Sequence, residues 1–412
     1  MEKKETGTGN PNEDAKKSII YFLSIIGFFA IFSTTISKSP VLPLYAKALG
    51  GTEVIIGLVS AISPIAGIVA SFPIGVLADR IGKKKLLLIS ASICVVAPLL
   101  YLSINSPWWL IPIRFFHGFA TAILGPVAST VILESYKKSK GEMLGIYTSA
   151  TLIGRAMAPL AGGAILTYFA LSSDFTAFHA VYLAAFAAAI IVFILVLFLK
   201  IEKKGITGRI SLKDFYISLQ TFVSESKLFF TALVEMVTYF AFGAFETFLP
   251  LYLSGLGFSA QTIGLVFSVQ VLSIAFSKPL FGWVADHIDK RVQITIGILI
   301  IGASIAALPF MSSIWAIFFL SVVFGLGISL STIATSTYIA DIAKEEHLGS
   351  SIGALSSIMD IGHSTGPFIT GLVVAAYSFK AGFGLSLVLC VIIAVMFSIV
   401  VFRSRRLTLT FQ

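Results

Sequence analysis

The sequence predicts an all-α integral membrane protein with twelve transmembrane helices in two parallel six-helix repeats. Three observations predict this fold class: an apolar composition, the number of long apolar stretches, and a repeat at a nearly fixed offset. Of the 412 residues, 57% are hydrophobic and only 12% are charged, and the mean hydropathy is +0.96. So few charged groups cannot cover a soluble surface of this size, and lipid must solvate much of the chain.

Twelve stretches are long enough to cross a hydrocarbon core about 30 Å thick, which takes roughly 20 apolar residues of helix. The predicted spans are 18–46, 53–78, 86–104, 108–135, 142–170, 176–199, 228–254, 260–285, 292–312, 314–342, 348–378 and 381–402. The predicted organisation is a cytoplasmic segment 1–17, a bundle 18–199, a linker 200–227, a second bundle 228–403 and a tail 404–412. The first span is expected to stay as an anchor, because it is too long for a removable signal peptide.

Positive charges predict the orientation, because Lys and Arg in short loops stay on the cytoplasmic side. All but six of the 29 Lys and Arg residues lie in segments on one side of the predicted helices. Two exceptions, Lys47 and Lys380, lie in loops on the other side of the predicted helices. The other four lie within helices: Lys38, Arg114, Arg155 and Lys278. Both termini are therefore expected in the cytoplasm, with the chain in the plasma membrane. This topology already explains the net charge of +9, so no nucleic-acid partner is expected.

The repeat appears as LPLYAKALG from Leu42 and LPLYLSGLG from Leu249, an offset of 207 residues. The register continues, with a slip of one residue in the fifth span of each half. A fixed offset over so long a stretch indicates an internal duplication. Two parallel halves of this kind are typical of transporters that bind substrate near the midplane between the halves.

The loop between the second and third spans reads GVLADRIGKKK and contains Gly75, Asp79, Arg80 and Gly82. This motif resembles the signature loop of the major facilitator superfamily, and the resemblance covers residues 18–403. It implies a latch in which Asp79 accepts hydrogen bonds on the cytoplasmic side and releases them when the halves rock. The alternative is a tight turn with retention charges.

Two further motifs are similar to those of the twelve-helix drug/proton antiporters. RFFHGFATA begins at Arg114, which the resemblance assigns to proton movement; an arginine snorkelling to the outer interface is the alternative. The fifth span carries Gly145, Gly154, Pro159 and Gly162 in the spacing of the antiporter motif, with alanine in place of the glycine before the proline. Helix packing by small residues also explains this second pattern.

Ionisable groups within the membrane cost about 2.5–3.5 kcal/mol each on insertion scales, so they mark functional sites. Asp360 and Arg155 lie about 18 Å and 20 Å into their spans at a rise of roughly 1.5 Å per residue. His363 follows Asp360 on the same helix face and is the repeat counterpart of Arg155, so these three groups are expected to meet across the axis. Glu235 is a second candidate acid, whereas Glu246 is expected at the outer interface.

Proton coupling needs a carboxylate that burial and a nearby cation hold close to both protonation states. Asp360, His363, Glu235 and Arg114 are therefore the candidate proton-coupling residues, and a static buried ion pair is the alternative. Arg155, Lys38, Tyr147 and Phe242 are the candidate substrate-binding residues. Lys38 precedes two prolines in the first span, where a broken helix often lines a cavity.

The sequence favours a proton-coupled exporter of small amphiphilic or drug-like molecules that works by alternating access. An importer or exchanger of a small organic anion that uses Lys38 and Arg155 is the second hypothesis, and a sensor or scaffold is the third. The expected partners are a small-molecule substrate, protons and the lipid bilayer, and a monomer is expected. Scattered histidines and the lack of phosphate-loop or nucleophile motifs argue against an enzyme, a metal site or a cofactor.

Overall fold

The computed structural model describes the backbone of residues 11–136, 139–170, 174–201, 220, 224–342 and 348–409. Side chains are described for these residues except those of 11–18, 71–80, 174, 348–354 and 402–409. The predicted linker 200–227 falls mostly outside these limits.

Long helices make up both halves of the described chain. The first half contains α1 (Pro11–Ile36), α2 (Val41–Ala48), α3 (Glu53–Ile81), α4 (Lys83–Tyr101), α5 (Leu110–Ser135), α6 (Lys140–Phe169) and α7 (Asp174–Phe198). The second half contains α8 (Ser226–Gly255), α9 (Ala260–His287), α10 (Lys290–Ala307), α11 (Ile314–Ile342), α12 (Leu348–Ala376) and α13 (Phe379–Leu409). Short 3₁₀ helices at Pro107–Trp109 and Leu308–Phe310 extend α5 and α10.

Twelve membrane spans were predicted, and the all-α fold with two six-helix repeats is confirmed. Within the described residues, eleven segments are long and apolar enough to cross a membrane, one of which joins α1 and α2. The twelfth long helix is α12. Helix α13 runs to Leu409, into the predicted tail.

The two halves repeat the same packing. In the first half α1 packs on α6 and α7, α3 on α5, and α4 on α5 and α7. In the second half α8 packs on α12 and α13, α9 on α11, and α10 on α11 and α13. The same helix order and the same neighbours in both halves follow from the sequence repeat.

The repeat extends to individual turns. Gly50 and Gly257, which close the two quoted stretches, both have φ +84°, where a side chain would be strained. Thr52 and Ser259 then cap α3 and α9 by accepting hydrogen bonds from backbone N–H groups three residues later. The tight turn into the second span of each half is therefore made in the same way twice.

The repeat is broken at the loop that follows the second span of each half. Gly82 has φ +89°, whereas its counterpart Asp289 has φ −56°. Asp289 instead caps α10, accepting a hydrogen bond from the backbone N–H of Arg291 and pairing with the Arg291 guanidinium. The second copy of the loop therefore exchanges a left-handed glycine for a capping carboxylate.

An ion pair joins the third and fourth spans within each half. Lys83 pairs with Glu134, and Lys290 lies 2.8 Å from Asp341 at the corresponding position. We call these two pairs the internal braces. They lie at the end of the bundle where α1 begins and α13 ends, which we call the termini end.

The halves meet most closely near residues 49–52 and 256–259, at the opposite or far end. A β-carbon at Gly57 would overlap the carbonyl oxygen of Pro367, and one at Gly264 would overlap that of Pro159. One turn further out, a β-carbon at Gly371 would lie 2.6 Å from the carbonyl oxygen of Glu53. Backbones can approach this closely only where side chains are missing, so these glycines close the far end.

Helices α6 and α9 separate toward the termini end. Gly163 and Gly264 touch the backbone of the opposite half, but Gly145 and Gly282 have no atom of the described residues within reach of a β-carbon. Side chains near these two glycines are also more exposed than those near the far end. The space between α6 and α9 therefore widens toward the termini end, and we call this space the chamber.

We expect Gly264→Ala to loosen the far end, because the added methyl group overlaps Pro159. Overpacking of this kind costs ~1–3 kcal/mol, which would shift the balance between closed and open far ends by roughly 5- to 150-fold. Spin labels at the exposed residues Ala48 and Ser254 would report the far-end separation, and both native cysteines are buried.

Gly384→Ala is the matched control, because a β-carbon there meets nothing within 4 Å in the described structure. Unchanged label distances in Gly264→Ala would show that the far end is not held by this contact.

Candidate functional site

A cluster of three ionisable side chains connects the halves at a break in the first span. The break covers residues 37–40 between α1 and α2 and carries Lys38. Lys38 Nζ lies 2.7 Å from Glu246 Oε2 of α8. His363 Nε2 of α12 lies 3.1 Å from the same oxygen and 3.4 Å from Lys38 Nζ. We call Lys38, Glu246 and His363 the cross-half cluster.

The hydrogen bonding of the cross-half cluster depends on whether His363 Nε2 carries a proton. With a proton on Nε2, His363 donates to Glu246; with a lone pair there, it accepts from Lys38. A fully protonated imidazolium would keep Glu246 and repel Lys38. The geometry therefore makes the Lys38 contact sensitive to the protonation state of His363.

Asp360 lies one turn before His363 and is only partly buried. Its Oδ2 lies against Gly67 of the first half, 2.9 Å from where a β-carbon would be. Its carboxylate has no hydrogen bond or ion pair with any residue that the structure describes. Asp360 is therefore an acid at the contact between the halves whose charge is available to a ligand or a proton.

Arg155 was expected to meet Asp360 and His363 across the axis, and this expectation stays a prediction. The Arg155 side chain is exposed and makes no hydrogen bond or ion pair with a described residue. Its charge acts electrostatically on Lys38, His363, Tyr239 and Lys278. Glu246, and not Arg155, is the described hydrogen-bond and ion-pair partner of both Lys38 and His363.

Arg155 and His363 are equivalent residues in the sequence repeat, and they also occupy equivalent positions in the structure. Each residue precedes by four positions a proline whose carbonyl oxygen meets a glycine of the other half, at Pro159 and Pro367. Both residues therefore lie one helical turn from a close contact between the halves, on its termini-end side.

An aromatic patch lies beside the charged groups. The rings of Tyr239 and Phe242 lie 6.1 Å apart on α8, and Phe242 contacts the His363 ring edge to face at 5.4 Å. The Tyr239 hydroxyl has no hydrogen-bond partner among the described residues. Phe242, a predicted substrate-binding residue, therefore lies next to the cross-half cluster.

Two acids lie elsewhere than expected. Glu246 is mostly buried in the cross-half cluster, so its expected place at the outer interface is wrong. Glu235 is 1% exposed and accepts a 2.6 Å hydrogen bond from Thr335 of α11. Packing between α8 and α11 therefore removes Glu235 from the chamber, and its proton-coupling role stays a prediction.

Arg114 is 3% exposed, so a side chain snorkelling to the interface is excluded. Its charge acts on Tyr101, His117 and Tyr182, and its Nε has no partner among the described residues. Tyr101 Oη and His117 Nδ1 lie 3.4 Å apart. Arg114 thus belongs to a buried polar group inside the first half and does not reach Asp360.

The fifth-span motif divides into two faces. Gly154 approaches the carbonyl oxygen of Phe28 in α1, with 2.5 Å to a β-carbon, and Gly162 lies against both Ile36 and Val41 at the break. Pro159 contacts the opposite half, as described above. Gly145 makes no such contact with described residues, so close packing does not explain that member of the motif.

Tyr147 and the latch residues are the remaining predicted site residues. Tyr147 is buried against Gly27 of α1, with 2.7 Å between its ring and a β-carbon there, so it lies in the core of the first half and away from the chamber. Gly75, Asp79 and Arg80 belong to residues 71–80, whose side chains lie outside the described part, so the latch stays a prediction.

Sequence reasoning missed Glu246 and Tyr239. The repeat did contain an approximate signal for Glu246, because the offset of 207 residues places its neighbour Phe245 opposite Lys38. Opposite charges at equivalent positions of two halves related by an axis are expected to meet near that axis. Nothing in the sequence distinguishes Tyr239 from the other aromatic residues.

We expect Glu246→Gln to destabilise the protein by about 3 kcal/mol, because it leaves the buried Lys38 charge without a carboxylate. Thermal unfolding of the purified protein measures the effect. The Lys38→Gln/Glu246→Gln double variant should cost less than the two single changes combined.

The exposed pair of Lys47 and Glu53 is the control, with 54% and 28% of its side chains exposed. Glu53→Gln should cost under about 1 kcal/mol. Equal losses for the two glutamates would contradict a structural role of the cross-half cluster.

Comparison with known proteins gives one family. The chain matches the Major Facilitator Superfamily over residues 23–260 and 231–411. It is 25% identical over 344 residues to an uncharacterized MFS-type transporter of Methanocaldococcus jannaschii, covering 81% of this chain and 87% of that one. It is 26% identical over 353 residues to the multidrug resistance protein MdtG of Salmonella paratyphi A, covering 84% and 86%.

Solved structures share the fold. A bacterial homolog of the human lysosomal transporter Spinster, inward-facing and unoccupied, has a TM-score of 0.78 at 16% identity, covering 94% of this chain and 96% of that one. The nucleoside transporter NupG has a TM-score of 0.72 at 16% identity, covering 92% and 98%. The twofold repeat, the chamber between the halves and the match along nearly the whole chain lead to one conclusion: this chain is a membrane transporter of the Major Facilitator Superfamily.

Proposed function

We propose that the protein is a proton-coupled exporter of small amphiphilic or drug-like molecules that works by alternating access. The observation that carries the proposal is the Asp360 carboxylate, which has no partner in the described structure and lies where the halves meet. The multidrug resistance protein among its relatives supports the substrate class. In this proposal the protein acts as a carrier, and not as an enzyme, in the plasma membrane as a monomer.

The termini end faces the cytoplasm in this proposal, because almost all loop cations lie on that side. The chamber then opens inward and the glycine contacts at Gly57 and Gly264 close the outside. Asp79 and Arg80 form the latch that closes the cytoplasmic side once the halves have rocked.

Asp360 couples substrate to proton by competition. A cationic group of the substrate and a proton both neutralise the same carboxylate, so binding one from the cytoplasm releases the other. On the outer side, proton binding at Asp360 releases the substrate. The inward proton gradient thereby drives export.

The cross-half cluster links this exchange to the movement of the halves. Opening the far end separates Lys38 from Glu246, because they belong to different halves, while His363 and Glu246 stay together. A proton on His363 then supplies the cation that Glu246 has lost. When the far end closes again, Lys38 returns and repels the imidazolium, which drives the proton off toward the inner side.

We expect Asp360→Asn to abolish transport driven by a proton gradient while substrate exchange stays detectable. The reason is that an amide side chain neither binds nor releases a proton at physiological pH. Reconstituted vesicles that report internal pH and substrate uptake measure both activities.

Glu142→Gln is the control, because Glu142 is an exposed acid in the first turn of α6, more than ten residues from Arg155 and Pro159. Full gradient-driven transport by Asp360→Asn would move the coupling role to Glu235.

Transport of a small organic anion is the second candidate. Away from the span ends, where Glu53, Glu134 and Glu142 lie, the first half of the described membrane region contributes the cations Lys38, Arg114 and Arg155 and no acid. Since Lys38 is bound to Glu246, Arg155 is the cation left to receive such an anion.

For this candidate, Arg155→Gln should abolish counterflow of a preloaded anion, whereas Lys38→Ala should weaken it through the cluster. Anion counterflow that persists in Arg155→Gln at the level of the unchanged protein would exclude the candidate.

A further inference from the structure

We infer that the first half binds a small monovalent anion, such as chloride, at the buried guanidinium of Arg114, with His117 and Tyr101 as further hydrogen-bond donors. We call these three residues the buried arginine site. It lies inside one half and away from the chamber, so the anion is a resident ligand and not the transported molecule. The proposed transport mechanism uses none of the three residues, and the inference does not depend on it.

The buried arginine site is a group of side chains in mutual contact. Arg114 and His117 are three residues apart on α5, so they share one face of the helix. They are 3% and 2% exposed. Tyr101, the last residue of α4, is fully buried, and its hydroxyl oxygen lies 3.4 Å from His117 Nδ1. The Tyr101 hydroxyl is also within hydrogen-bonding reach of the Arg114 side chain.

Donor hydrogens of the site lack acceptors. Arg114 Nε and His117 Nε2 are both buried, and neither has a hydrogen-bond partner among the described residues. A guanidinium only donates, so Arg114 Nε needs an acceptor. Tyr101 and a neutral His117 carry one polar hydrogen each but share a single hydrogen bond, so one of these hydrogens stays free in either tautomer. The site therefore calls for a ligand that accepts hydrogen bonds.

The charge of Arg114 has no counterion among the residues that the structure describes. Arginine stays protonated in proteins, so this charge is permanent. The first-half acids with described side chains lie elsewhere: Glu53 and Glu134 pair with lysines, and Glu142 is exposed. A buried charge without a partner is strongly unfavourable. The missing acceptor should therefore carry a negative charge.

The composition of the site selects a monovalent ion. One guanidinium charge is balanced by one negative charge, whereas a divalent anion would leave a negative charge buried. A water molecule could accept hydrogen bonds here but would leave the charge of Arg114 uncompensated. Tyr182 stacks on Tyr101 at 4.5 Å, and its buried hydroxyl also lacks a described partner, so it adds a neutral donor beside the site. Chloride matches both the charge and these donors.

The site lies near the far end, where several helices of the first half meet. Arg114 is in the second turn of α5, and Tyr101 ends α4. The Tyr45 hydroxyl of α2 donates a 2.9 Å hydrogen bond to the backbone carbonyl of Tyr101. An anion that neutralises Arg114 would therefore stabilise the place where α2, α4 and α5 are connected. Removal of the anion should lower the stability of the protein.

The test measures thermal unfolding of the purified full-length protein in detergent while potassium chloride replaces potassium gluconate at constant ionic strength and pH. We expect a saturable rise in the unfolding temperature, on the order of 2 °C, because a ligand that binds the folded state stabilises it. Bromide should act like chloride, since it has the same charge and a similar size.

Variants separate this site from general salt effects. Arg114→Gln should abolish the chloride effect, because no buried charge then needs an anion. His117→Phe keeps the charge and should raise the half-maximal chloride concentration about 2- to 10-fold through the loss of one hydrogen bond. Arg114→Lys should keep a weaker effect, which separates loss of charge from loss of folding. Lys380→Gln removes an exposed cation at the far end of the second half and should leave the effect unchanged.

Crystals of the full-length protein grown in bromide locate the ion directly, even if Arg114→Gln does not fold. We expect an anomalous scattering peak at hydrogen-bonding distance from the Arg114 side chain. Three outcomes would overturn the inference: no saturable chloride effect, an equal effect in Arg114→Gln, or an ordered water and no bromide peak at Arg114. Transport assays of the Asp360 variant test the proposed function separately, because Asp360 belongs to the other half.

Discussion

The structure depends on one constraint, the approach of backbone to backbone where the two halves meet at the far end. Gly57 and Gly264 lie against the carbonyl oxygens of Pro367 and Pro159, at a distance that no side chain would permit. These contacts set the spacing of the halves and therefore the depth at which their charges meet. His363 and Arg155 lie one helical turn from the two prolines, on the termini-end side of these contacts. A lipid-facing surface offers no hydrophobic force to hold helices together, which makes this close packing the main source of cohesion.

Charge is distributed unequally between the halves. Away from the ends of the described membrane spans the first half supplies only cations, whereas the acids Glu235, Glu246 and Asp360 all belong to the second. Electrostatic attraction between the halves therefore adds to the packing. The ion pair of Lys38 and Glu246, at 2.7 Å, is its direct contact. Such an arrangement ties protonation to conformation, because neutralising an acid of the second half weakens its attraction to the first. A transporter with balanced charges inside each half would lack this connection.

Most of the fold could be predicted from the sequence, and much of the site could not. Helix number and most helix ends follow from hydropathy and turn residues, and the repeat predicted correspondences that recur as matched turns, such as those at Gly50 and Gly257. The site depends on which of several charges pair, and this is decided by side-chain reach across a contact between halves. Arg155 and Glu246 illustrate the difficulty: depth along a helix placed both in the membrane, but not their partners. The repeat placed Lys38 opposite Phe245, one residue before Glu246, which is only an approximate signal for the pairing.

The internal braces have a consequence for how the molecule moves. Lys83 with Glu134 and Lys290 with Asp341 each connect neighbouring helices of the same half, so neither pair is stretched when one half tilts against the other. Each half keeps its own shape at the membrane surface where the polypeptide enters and leaves. Tilting one half against the other therefore changes only the contacts that cross the axis between the halves. High salt should therefore reduce the stiffness of each half more than it affects how easily the two halves change their relative orientation.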